Sequence, residues 1–311
     1  MTYKYRFSIF TATYNRAKLL PELYECVKKQ TFDHSDFEWV IVSDGSTDNT
    51  AVVVQEFIKE GFVNIKFINK ENGGKHTAWR EATKVFEGKY VISADDDDPI
   101  DSRILEIFDK YWAELEKRND YDRFWEVKAR CKHPDGSLVG DELPEDVFDS
   151  DYIEVNYRLN IKGEMEGCRK LEVLRNEAKV PENFMFHDKC SNYPEVLRWT
   201  KAARKYKTRY VSDRVRTYIV GHDSLCVSVK GKTRSEKRNY NSLVGSLYAL
   251  NDNHDLLLRY QLSNYFFTCL QLSYSALRVK ENVFHQIRNL DVKVLYLLFL
   301  IPSYLINILK K

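Results

Sequence analysis

The sequence lacks the cysteine spacing that builds a disulfide scaffold or a zinc cage. Its six cysteines are far apart, and no two of them form a Cys-x-x-Cys pair. Both structures need compact spacing, so both are excluded. Free thiols in a reducing cytosol are the expectation for Cys26, Cys131, Cys168, Cys190, Cys226 and Cys269.

An excess of charge of one sign is also absent. The 311 residues include 48 Lys and Arg against 46 Asp and Glu, which leaves a net charge of +2. Nucleic-acid binding needs a concentrated basic surface, so that class of function is disfavoured. With 43% hydrophobic and 30% charged residues, the composition also excludes an intrinsically disordered chain and a polytopic membrane protein.

The first residues contain no apolar segment with a cleavage site of the kind that directs export. The stretch MTYKYRFSIFTATYN passes directly into a predicted strand. We therefore expect a protein that is not exported and that acts in the cytoplasm. The chain has no internal repeat and no low-complexity segment, and its length suits one large core or two linked lobes.

Strands and helices alternate over the first third of the chain. Runs of β-branched and aromatic residues predict strands, and helically spaced apolar residues predict helices between them. The predicted strands are Phe7–Thr13, Trp39–Ser43, Val63–Ile68 and Tyr90–Ala94, with helices at 19–27, 52–59 and 77–86. This alternation predicts β-α-β units and an open, twisted, mostly parallel α/β sheet with helices on both faces.

The rest of the chain is less regular. We predict a helix around Ile104–Leu115, strands at Phe124–Ala129 and Tyr152–Arg158, and a helix at Glu195–Tyr206. From Ser235 onward the apolar residues recur with helical spacing. A soft boundary near residue 230 therefore separates a C-terminal helical extension from the mixed α/β part.

A polar cluster follows each of the four N-terminal strands. The clusters are Thr13 to Arg16, Ser43 to Ser46, Gly73 to His76, and Asp95 to Asp98. In a parallel sheet, ligands bind beyond the carboxyl ends of the strands, where helix N-termini and loop amides converge. The clusters therefore predict one binding site at that edge of the sheet.

The four consecutive aspartates Asp95–Asp98, called the acidic run below, predict a divalent cation. Adjacent carboxylates repel one another unless a cation neutralises them, and oxygen ligands suit Mg²⁺ or Mn²⁺, which keep open positions for a diphosphate. The alternative is a solvated acidic turn that caps the next helix. Asp44 and Gly73-Gly74 are weaker signals by themselves, because Asp-Gly-Ser is commonly only a capped turn.

Four segments resemble a known family when they are taken in order. They are TATYNRAKLLPELYECVKKQ, FEWVIVSDGSTD, ENGGKHTAWREA and YVISADDDD. Together they resemble the successive motifs of the family 2 glycosyltransferases, which are inverting enzymes with the nucleotide-sugar-binding GT-A fold, and the resemblance covers residues 5 to about 225. It implies a GT-A domain at 1–230, with a nucleotide-sugar-binding half at 1–100 and an acceptor-binding half at 101–230, and then a helical region at 231–311.

The resemblance also implies roles for residues at the strand ends. Thr13 and Tyr14 would hold the nucleotide base, with Tyr14 stacked on it, and Asp44 would pair with this base, usually uracil. Lys75 would contact the base or the phosphates of the nucleotide. The sequence departs from the family at Ala12, where proline is common, but this residue lies in a strand end away from any reacting group.

The same resemblance assigns the acidic run to the donor and its metal. Asp95 would lie at the ribose, Asp97 would bind the metal, and Asp98 would lie beside the donor sugar, with Asp96 in the same donor-binding run. His222 resembles the late histidine that completes the metal shell in some members. The alternative is that His222 is a surface or core residue.

Inverting transfer needs a general base that takes the proton of the acceptor hydroxyl on the face opposite the leaving diphosphate. We predict Glu195, because NYPEVLRW resembles the family segment that supplies this base, although Pro194 replaces its first acid. One alternative is that Glu195 only begins a helix, where the macrodipole favours an acid. The other candidates for the base are Glu164, Glu166 and Asp188.

The segment Val292–Leu309 is apolar apart from Lys293, Ser303 and Asn307. It lies at the short limit for a bilayer span, which takes about 20 residues. We predict a helix that lies in the membrane interface and is held by basic flanks. The alternative is a core helix or an oligomer contact. Peripheral membrane contact suits a family in which many acceptors are lipid-linked sugars.

The resemblance implies a metal-dependent inverting glycosyltransferase. It would move a hexose or N-acetylhexosamine from a UDP-sugar to a hydroxyl of a glycan acceptor, in polysaccharide, O-antigen or capsule synthesis. Two alternatives stay open. A nucleotidyltransferase that makes nucleotide-sugars usually has a glycine-rich loop after the first strand, and Thr11–Asn15 contains no glycine. A non-catalytic carbohydrate-binding scaffold would have no need to retain the acidic positions.

Overall fold

The structure is a computed structural model and describes residues 2–190, 192–219 and 232–309. The chain divides into two compact units. The first comprises Met1–Val180 and Lys201–Ser224, and the second comprises Pro181–Thr200 and Leu225–Lys311. The predicted division at residue 230 stays a prediction. The compact units differ from it because Pro181–Thr200 belongs to the second unit.

An eight-stranded sheet lies at the centre of the first unit. Its strands are β1 (Tyr5–Thr13), β2 (Phe37–Asp44), β3 (Asn64–Lys70), β4 (Gly88–Ser93), β5 (Phe124–Lys132), β6 (Val147–Ser150), β7 (Met165–Lys170) and β8 (Lys207–Thr217). The strand order across the sheet is β3-β2-β1-β4-β7-β5-β8-β6. The pairs β3/β2, β2/β1, β1/β4 and β5/β8 are parallel, whereas β7 runs antiparallel to both of its neighbours and β6 runs antiparallel to β8. The predicted mostly parallel sheet is confirmed.

Helices follow the first strands as the β-α-β pattern predicts. They are α1 (Leu20–Lys28), α2 (Thr50–Glu60), α3 (Lys75–Val85) and α4 (Ile104–Glu116), and α5 (Leu171–Asn176) follows β7. α2 ends at Gly61, whose φ of 69° is the left-handed conformation that terminates helices most easily without a Cβ. The predicted helices in this part of the chain are confirmed.

The core beneath the site is aromatic and well anchored. Trp39 of β2 is fully buried and stacks with Tyr24 of α1 and Phe57 of α2, at ring-centroid distances of 6.1 and 6.3 Å. Its indole Nε1 donates a hydrogen bond to Thr11 Oγ1 at 2.9 Å, and this hydroxyl donates to the Ala94 carbonyl at 2.7 Å. The core therefore fixes the residue that immediately precedes the acidic run.

The strand predicted at Tyr152–Arg158 is wrong. The chain forms a π-helical turn at Glu154–Arg158 instead. The carboxylate of Asp151 accepts hydrogen bonds from the backbone N–H groups of Ile153 at 2.8 Å and Glu154 at 2.9 Å. Such a cap satisfies the free N–H groups of a helical turn and therefore favours it over an extended strand.

The second unit is helical in the part that the structure describes. α6 (Glu195–Ala203) begins in it and is shorter than the predicted helix at Glu195–Tyr206. The unit continues with α7 (Lys232–Asp252), α8 (His254–Tyr260), α9 (Leu262–Val279) and α10 (Leu290–Leu309). α9 packs against α7, α8 and α10. Leu243, Leu247 and Leu250 of α7 are buried, as their helical spacing predicts.

One helix in the described part of the chain, Leu290–Ile308, is long and apolar enough to cross a membrane. Core helices of soluble proteins can have the same length and composition. The cysteines at 26, 131, 168, 190 and 269 carry free thiols, as expected. Cys226 lies outside the described residues.

Candidate functional site

The carboxyl ends of β1, β2 and β4 bring three of the predicted clusters to one edge of the sheet. In the sheet register, Thr13 lies opposite Ser43, and Phe10 lies opposite Ser93. The chain therefore leaves these neighbouring strands at Tyr14, at Asp44 and at the acidic run. This edge is the candidate site.

Asp96 is held by two residues that follow one another closely in the chain. Its Oδ2 accepts a hydrogen bond from Thr13 Oγ1 at 2.7 Å, and its Oδ1 accepts one from Arg16 Nη1 at 2.6 Å. The same arginine nitrogen lies 2.9 Å from Asp97 Oδ2. Burial raises the pKa of Asp96, although the Arg16 charge and the Thr13 hydrogen bond act against this. The end of β1 thus positions the middle of the acidic run.

Asp95 pairs with a lysine at the start of α3. Lys75 Nζ lies 2.7 Å from Asp95 Oδ1. Burial acts to raise the pKa of Asp95, but the charge and hydrogen bond of Lys75, with the charges of Arg216 and Arg16, lower it below its ordinary value. The predicted residues Asp95 and Lys75 are therefore brought together, and Asp95 is ionised at neutral pH.

Asp98 pairs with an arginine from β8. Arg216 Nη1 lies 3.1 Å from Asp98 Oδ2 and 3.6 Å from Glu166 Oε2. Glu166, on β7, also accepts a hydrogen bond from Ser93 Oγ at 2.9 Å. Burial raises the pKa of Asp98 to about 6, against the charge of Arg216. Two strands that the sequence pattern did not reveal thus add a carboxylate and a guanidinium to the site.

Basic side chains of the protein itself balance the acidic run. Each of its four carboxylates lies within 3.1 Å of Arg16, Lys75 or Arg216. The sequence-based expectation relied on a cation to relieve the repulsion between neighbouring aspartates. These ion pairs relieve it as well, so charge balance alone does not require a metal.

The oxygen ligands at the site nevertheless suit a hard cation. The side chains of Asp95 and Asp97 are each 32% exposed, so they offer carboxylates at the surface of the run. Mg²⁺ is usually bound by one or two carboxylates together with substrate phosphates. Among the residues that the structure describes, no group of three or more His, Cys, Asp or Glu side chains could hold a metal ion. The residues therefore fit an ion that takes its other ligands from a diphosphate.

Asp44 holds the glycine loop that precedes α3. Its carboxylate accepts hydrogen bonds from the N–H groups of Gly73 at 3.0 Å and Gly74 at 2.7 Å. It also accepts from Asn72 Nδ2 at 3.3 Å and from Lys70 Nζ at 2.6 Å. With four donors around it and a side chain only 7% exposed, Asp44 organises the loop from β3 to α3.

Tyr14 lies at the surface of the same edge and is 40% exposed. The next residue, Asn15, has a φ of 53°, a left-handed conformation that asparagine tolerates better than most residues. The Asn15 N–H donates to Ser46 Oγ at 3.0 Å, and its Oδ1 accepts from the Thr47 N–H at 2.7 Å. The loop after β1 is thereby tied to the loop after β2, which leaves the Tyr14 ring accessible beside the end of β2.

The predicted base lies in the other unit. Glu195 is the first residue of α6 in the second unit, whereas the acidic run lies in the first unit. Its role as general base stays a prediction. Of the alternatives, Glu166 is buried and bonded as described above, and Glu164 and Asp188 are exposed. The predicted metal ligand His222 lies outside the described residues.

Arg16, Lys70 and Arg216 were missing from the predicted site residues. Arg16 belongs to the polar cluster after the first strand, so its place in the sequence was a usable signal. Lys70 lies opposite Asp44 in the β2/β3 register, and Arg216 forms an isolated bridge with Ile100. Only strand pairing shows that these two residues reach the site.

The sequence profile of glycosyl transferase family 2 matches residues 8–126. Over 100 residues the chain is 33% identical to the poly(ribitol-phosphate) β-N-acetylglucosaminyltransferase TarS of Staphylococcus aureus, a match that covers 32% of this chain and 18% of TarS. Over 119 residues it is 28% identical to the minor teichoic acid biosynthesis protein GgaB of Bacillus subtilis, covering 37% of this chain and 13% of GgaB. The matches thus span less than a fifth of each relative, and they confirm the predicted family resemblance.

Solved structures share the fold. Residues 1–349 of TarS in complex with UDP-GlcNAc align with a TM-score of 0.58 at 20% identity, covering 94% of this chain and 78% of that one. The mannosyltransferase PcManGT from Pyrobaculum calidifontis, in complex with GDP-Man and Mn²⁺, aligns with a TM-score of 0.57 at 17% identity, covering 100% and 89%. The predicted GT-A fold is confirmed.

Proposed function

We propose that this chain, whose residues 8–126 match glycosyl transferase family 2, is an inverting glycosyltransferase. It moves a hexose or N-acetylhexosamine from a UDP-sugar to a hydroxyl of a glycan acceptor, in the synthesis of a polysaccharide, O-antigen or capsule. The names of two relatives support this proposal, since TarS is a poly(ribitol-phosphate) β-N-acetylglucosaminyltransferase and GgaB is a teichoic acid biosynthesis protein.

One observation carries the proposal, namely the way the acidic run is held at the carboxyl end of buried β4. Thr13 of β1, Lys75 of α3 and Arg216 of β8 each contact one of its carboxylates. A solvated acidic turn has no need of partners from three other elements. A fixed row of carboxylates at this edge, where loop amides and helix N-termini also lie, suits a sugar nucleotide.

The donor nucleotide occupies the ends of β1 and β2. Tyr14 stacks on the base, Thr13 supports it, and Asp44 accepts a hydrogen bond from it. Asp95 binds the ribose and Asp98 lies beside the donor sugar. Two further predicted residues take part. Lys75 contacts the base or the phosphates, and Asp96 holds the acidic run in place through its hydrogen bonds with Thr13 and Arg16.

Asp97 is the proposed protein ligand of Mg²⁺ or Mn²⁺, with His222 as a second ligand. Such an ion, when bound, offsets the negative charge on the departing diphosphate. The Mn²⁺ in the PcManGT complex supports a metal at a site on this fold. Arg16 must share Asp97 with that ion, because Arg16 Nη1 lies 2.9 Å from Asp97 Oδ2.

Glu195 takes the proton of the acceptor hydroxyl. The acceptor oxygen attacks the anomeric carbon of the donor sugar while the bond from that carbon to the diphosphate oxygen breaks. UDP leaves from the opposite face, so the configuration at the anomeric carbon is inverted. General base catalysis of this kind contributes about 10²- to 10⁴-fold in rate.

The function is tested with a thermal-shift panel of UDP-, GDP- and dTDP-sugars, each with and without Mn²⁺. We expect UDP-sugars with Mn²⁺ to raise the melting temperature most, because a ligand that binds only the folded state stabilises it more the more tightly it binds. A chain that no nucleotide-sugar stabilises would contradict the proposal and favour the non-catalytic scaffold. Release of free UDP from UDP-GlcNAc, with a glycan acceptor present, then separates transfer from binding alone.

The base is tested by comparing Glu195→Gln with Asp97→Ala. Both variants should abolish transfer, but only Asp97→Ala should weaken metal-dependent UDP binding. Glu164→Gln, Glu166→Gln and Asp188→Asn test the competing carboxylates in the same assay. Normal turnover of Glu195→Gln, together with loss in one competitor, would move the base to that residue and leave the transferase proposal standing.

We also propose that α10 lies on the cytoplasmic face of a membrane. One face of this helix is apolar and exposed, and its residues recur at helical spacing: Leu290, Val294, Leu297, Leu298, Ile301, Leu305 and Ile308. Arg288 precedes this face, and Lys310 and Lys311 follow it in the sequence. An apolar face with basic ends suits a helix that lies in the interface of an anionic bilayer.

A further inference from the structure

Arg216 joins the acidic run to a carboxylate that precedes β7. Its Nη1 lies 3.1 Å from Asp98 Oδ2, and its Nη2 lies 3.7 Å from Glu164 Oε2. Arg216 reaches the run because the end of β8 pairs with the segment that follows it, where the Thr217 N–H donates to the Pro99 carbonyl at 3.0 Å. One guanidinium therefore holds these two acids beside each other.

Two of the acids around Arg216 have a partner within the protein on each carboxylate oxygen. Asp98 Oδ1 accepts a hydrogen bond from the Ile219 N–H at 3.4 Å, and its Oδ2 contacts Arg216. Glu166 Oε1 accepts from Ser93 Oγ at 2.9 Å, and its Oε2 lies 3.6 Å from Arg216. The two acidic side chains are only 10% and 4% exposed. Both carboxylates are thus committed to holding Arg216 in place.

Glu164 differs from these two acids in its exposure and in its contacts. Its side chain is 51% exposed, and among the described residues its carboxylate makes one ion pair, the 3.7 Å contact with Arg216. Its backbone is fixed, because its carbonyl accepts a hydrogen bond from the Cys131 N–H of β5 at 3.3 Å. A carboxylate has about four acceptor sites. Glu164 is therefore a positioned acid that can accept hydrogen bonds from a ligand.

The charge around Arg216 favours a neutral ligand at this point. Three carboxylates, those of Asp98, Glu164 and Glu166, lie around this one guanidinium. A diphosphate would be repelled by the excess of acid, whereas a sugar hydroxyl donates a strong hydrogen bond to an ionised carboxylate. This end of the acidic run therefore suits the sugar part of a sugar nucleotide better than its phosphates.

We propose that Glu164 accepts a hydrogen bond from a hydroxyl of the sugar that is transferred. The inference rests on the proposed function, in which Asp98 lies beside the donor sugar. Because Arg216 holds both acids, a sugar beside Asp98 lies within reach of Glu164. A site built to bind a substrate hydroxyl rejects an analogue that lacks it. Glu164 is thus a specificity-determining residue for the donor sugar.

The test is calorimetric binding of UDP, UDP-Glc and UDP-GlcNAc, with Mn²⁺, to the wild type, Glu164→Ala, Glu164→Gln and Glu114→Ala. Glu114 is the matched control, because its side chain is 47% exposed and also pairs with a buried arginine of β8, Arg209, at 3.1 Å. Glu164→Ala should bind the UDP-sugar that the wild type prefers about tenfold more weakly, the range of one hydrogen bond to a charged group, and should bind UDP unchanged. Glu164→Gln, which keeps an acceptor oxygen, should lose less, and Glu114→Ala should match the wild type.

UDP-Glc analogues that each lack one hydroxyl identify the contact. The analogue without the contacted hydroxyl should bind the wild type about tenfold more weakly than UDP-Glc does. Glu164→Ala should bind that analogue and UDP-Glc equally, because the variant has already lost the hydrogen bond. Losses that are the same in the wild type and the variant for every analogue would overturn the inference.

Other results would also overturn the inference. Equal losses for UDP and the UDP-sugar in Glu164→Ala would mean that the residue acts on the nucleotide or on the fold. Unchanged binding of the UDP-sugar would exclude the contact, and if turnover were then lost, Glu164 would act on the acceptor instead. Both results leave the proposed transferase standing, because the wild type still binds a UDP-sugar. A wild type that binds none of the three nucleotides would overturn the inference and the proposed function together.

Discussion

Arg16 and the proposed metal ion would compete for one carboxylate. Arg16 Nη1 bonds Asp96 at 2.6 Å and Asp97 at 2.9 Å, so the protein already supplies a cation where the resemblance expects Mg²⁺ or Mn²⁺. An ion that binds Asp97 must displace this contact or share the carboxylate. The strength of the proposed metal binding would therefore depend on a residue that is not itself a ligand.

The variant Arg16→Gln should bind Mn²⁺ more tightly, by about tenfold, the equivalent of roughly 1.4 kcal/mol. It should also lower the melting temperature of the metal-free protein, because buried Asp96 loses its ionic partner. Titration of Mn²⁺ by calorimetry in the presence of UDP measures the first effect. Arg103→Gln, at an arginine whose side chain is 62% exposed, is the control. Weaker or unchanged Mn²⁺ binding in Arg16→Gln would mean that the two cations do not compete.

Asp98 makes the stability of the site depend on pH. Its pKa is raised by burial from 3.8 to about 6 in the folded protein. The folded state thus holds this proton more tightly than the unfolded state. The contribution of Asp98 to the free energy of unfolding is therefore fully present below pH 3.8 and is lost as the pH rises through 6. In Asp98→Asn this loss is absent. The melting temperature of the variant relative to the wild type should therefore rise between pH 4 and pH 7 in metal-free buffer, and a flat difference would contradict the raised pKa.

At the scale of helices and strands, the predictions succeeded where buried apolar strands alternate with amphipathic helices. β1 and β2 are almost wholly buried, and their apolar runs were readable from the sequence. β7 and β8 were not, because charged residues occupy buried positions in them. Glu166, Arg169 and Arg216 are all under a tenth exposed. Their charges are neutralised by partners that are distant in sequence, and no local pattern reveals such pairs.

The same limit applies to the candidate site. Thr13, Asp96, Asp95 and Lys75 were predicted from clusters at strand ends, and the structure brings them together in two bonded pairs. The pairing of Lys70 with Asp44 depends on the register of β3 against β2, which the sequence does not specify locally. Polar residues at strand ends are thus predictable as a group, whereas their partners require the sheet.

At the π-helical turn Glu154–Arg158, a single capping side chain favours the helical conformation over a strand. The Asp151 carboxylate bonds the N–H groups of Ile153 and Glu154, and loss of such a cap costs about 0.5–2 kcal/mol. Asp151→Ala should therefore lower the free energy of unfolding by about 1 kcal/mol in urea denaturation. Asp151→Asn, which retains an acceptor oxygen, should recover most of it. Equal losses in both variants would show that the charge of Asp151, rather than the cap, is what stabilises this segment.

At the scale of the whole molecule, the residues proposed to act in one reaction are divided between two units. The acidic run belongs to the first unit, whereas Glu195 and α10 belong to the second. The family profile ends at residue 126, inside the first unit. Donor binding is therefore the part of the proposal with the most support from relatives, and the acceptor side and the membrane contact rest on this chain's own residues.

The exposed face of α10 makes the membrane proposal testable on the full chain. Ile301 is 72% exposed and Leu298 is 61% exposed, so the double variant Leu298→Glu, Ile301→Glu should fold normally and place charge on the apolar face. Val52→Glu, at a residue of α2 that is 59% exposed, adds an exposed charge in the first unit as a control. We expect the wild type and Val52→Glu to sediment with vesicles of phosphatidylglycerol and phosphatidylcholine, and the double variant to stay in solution, because each buried apolar side chain contributes about 1.5–3 kcal/mol to such binding. The wild type could instead fail to sediment with vesicles and form a dimer, with the double variant monomeric. In that case the apolar face is an oligomer contact and the membrane proposal is wrong.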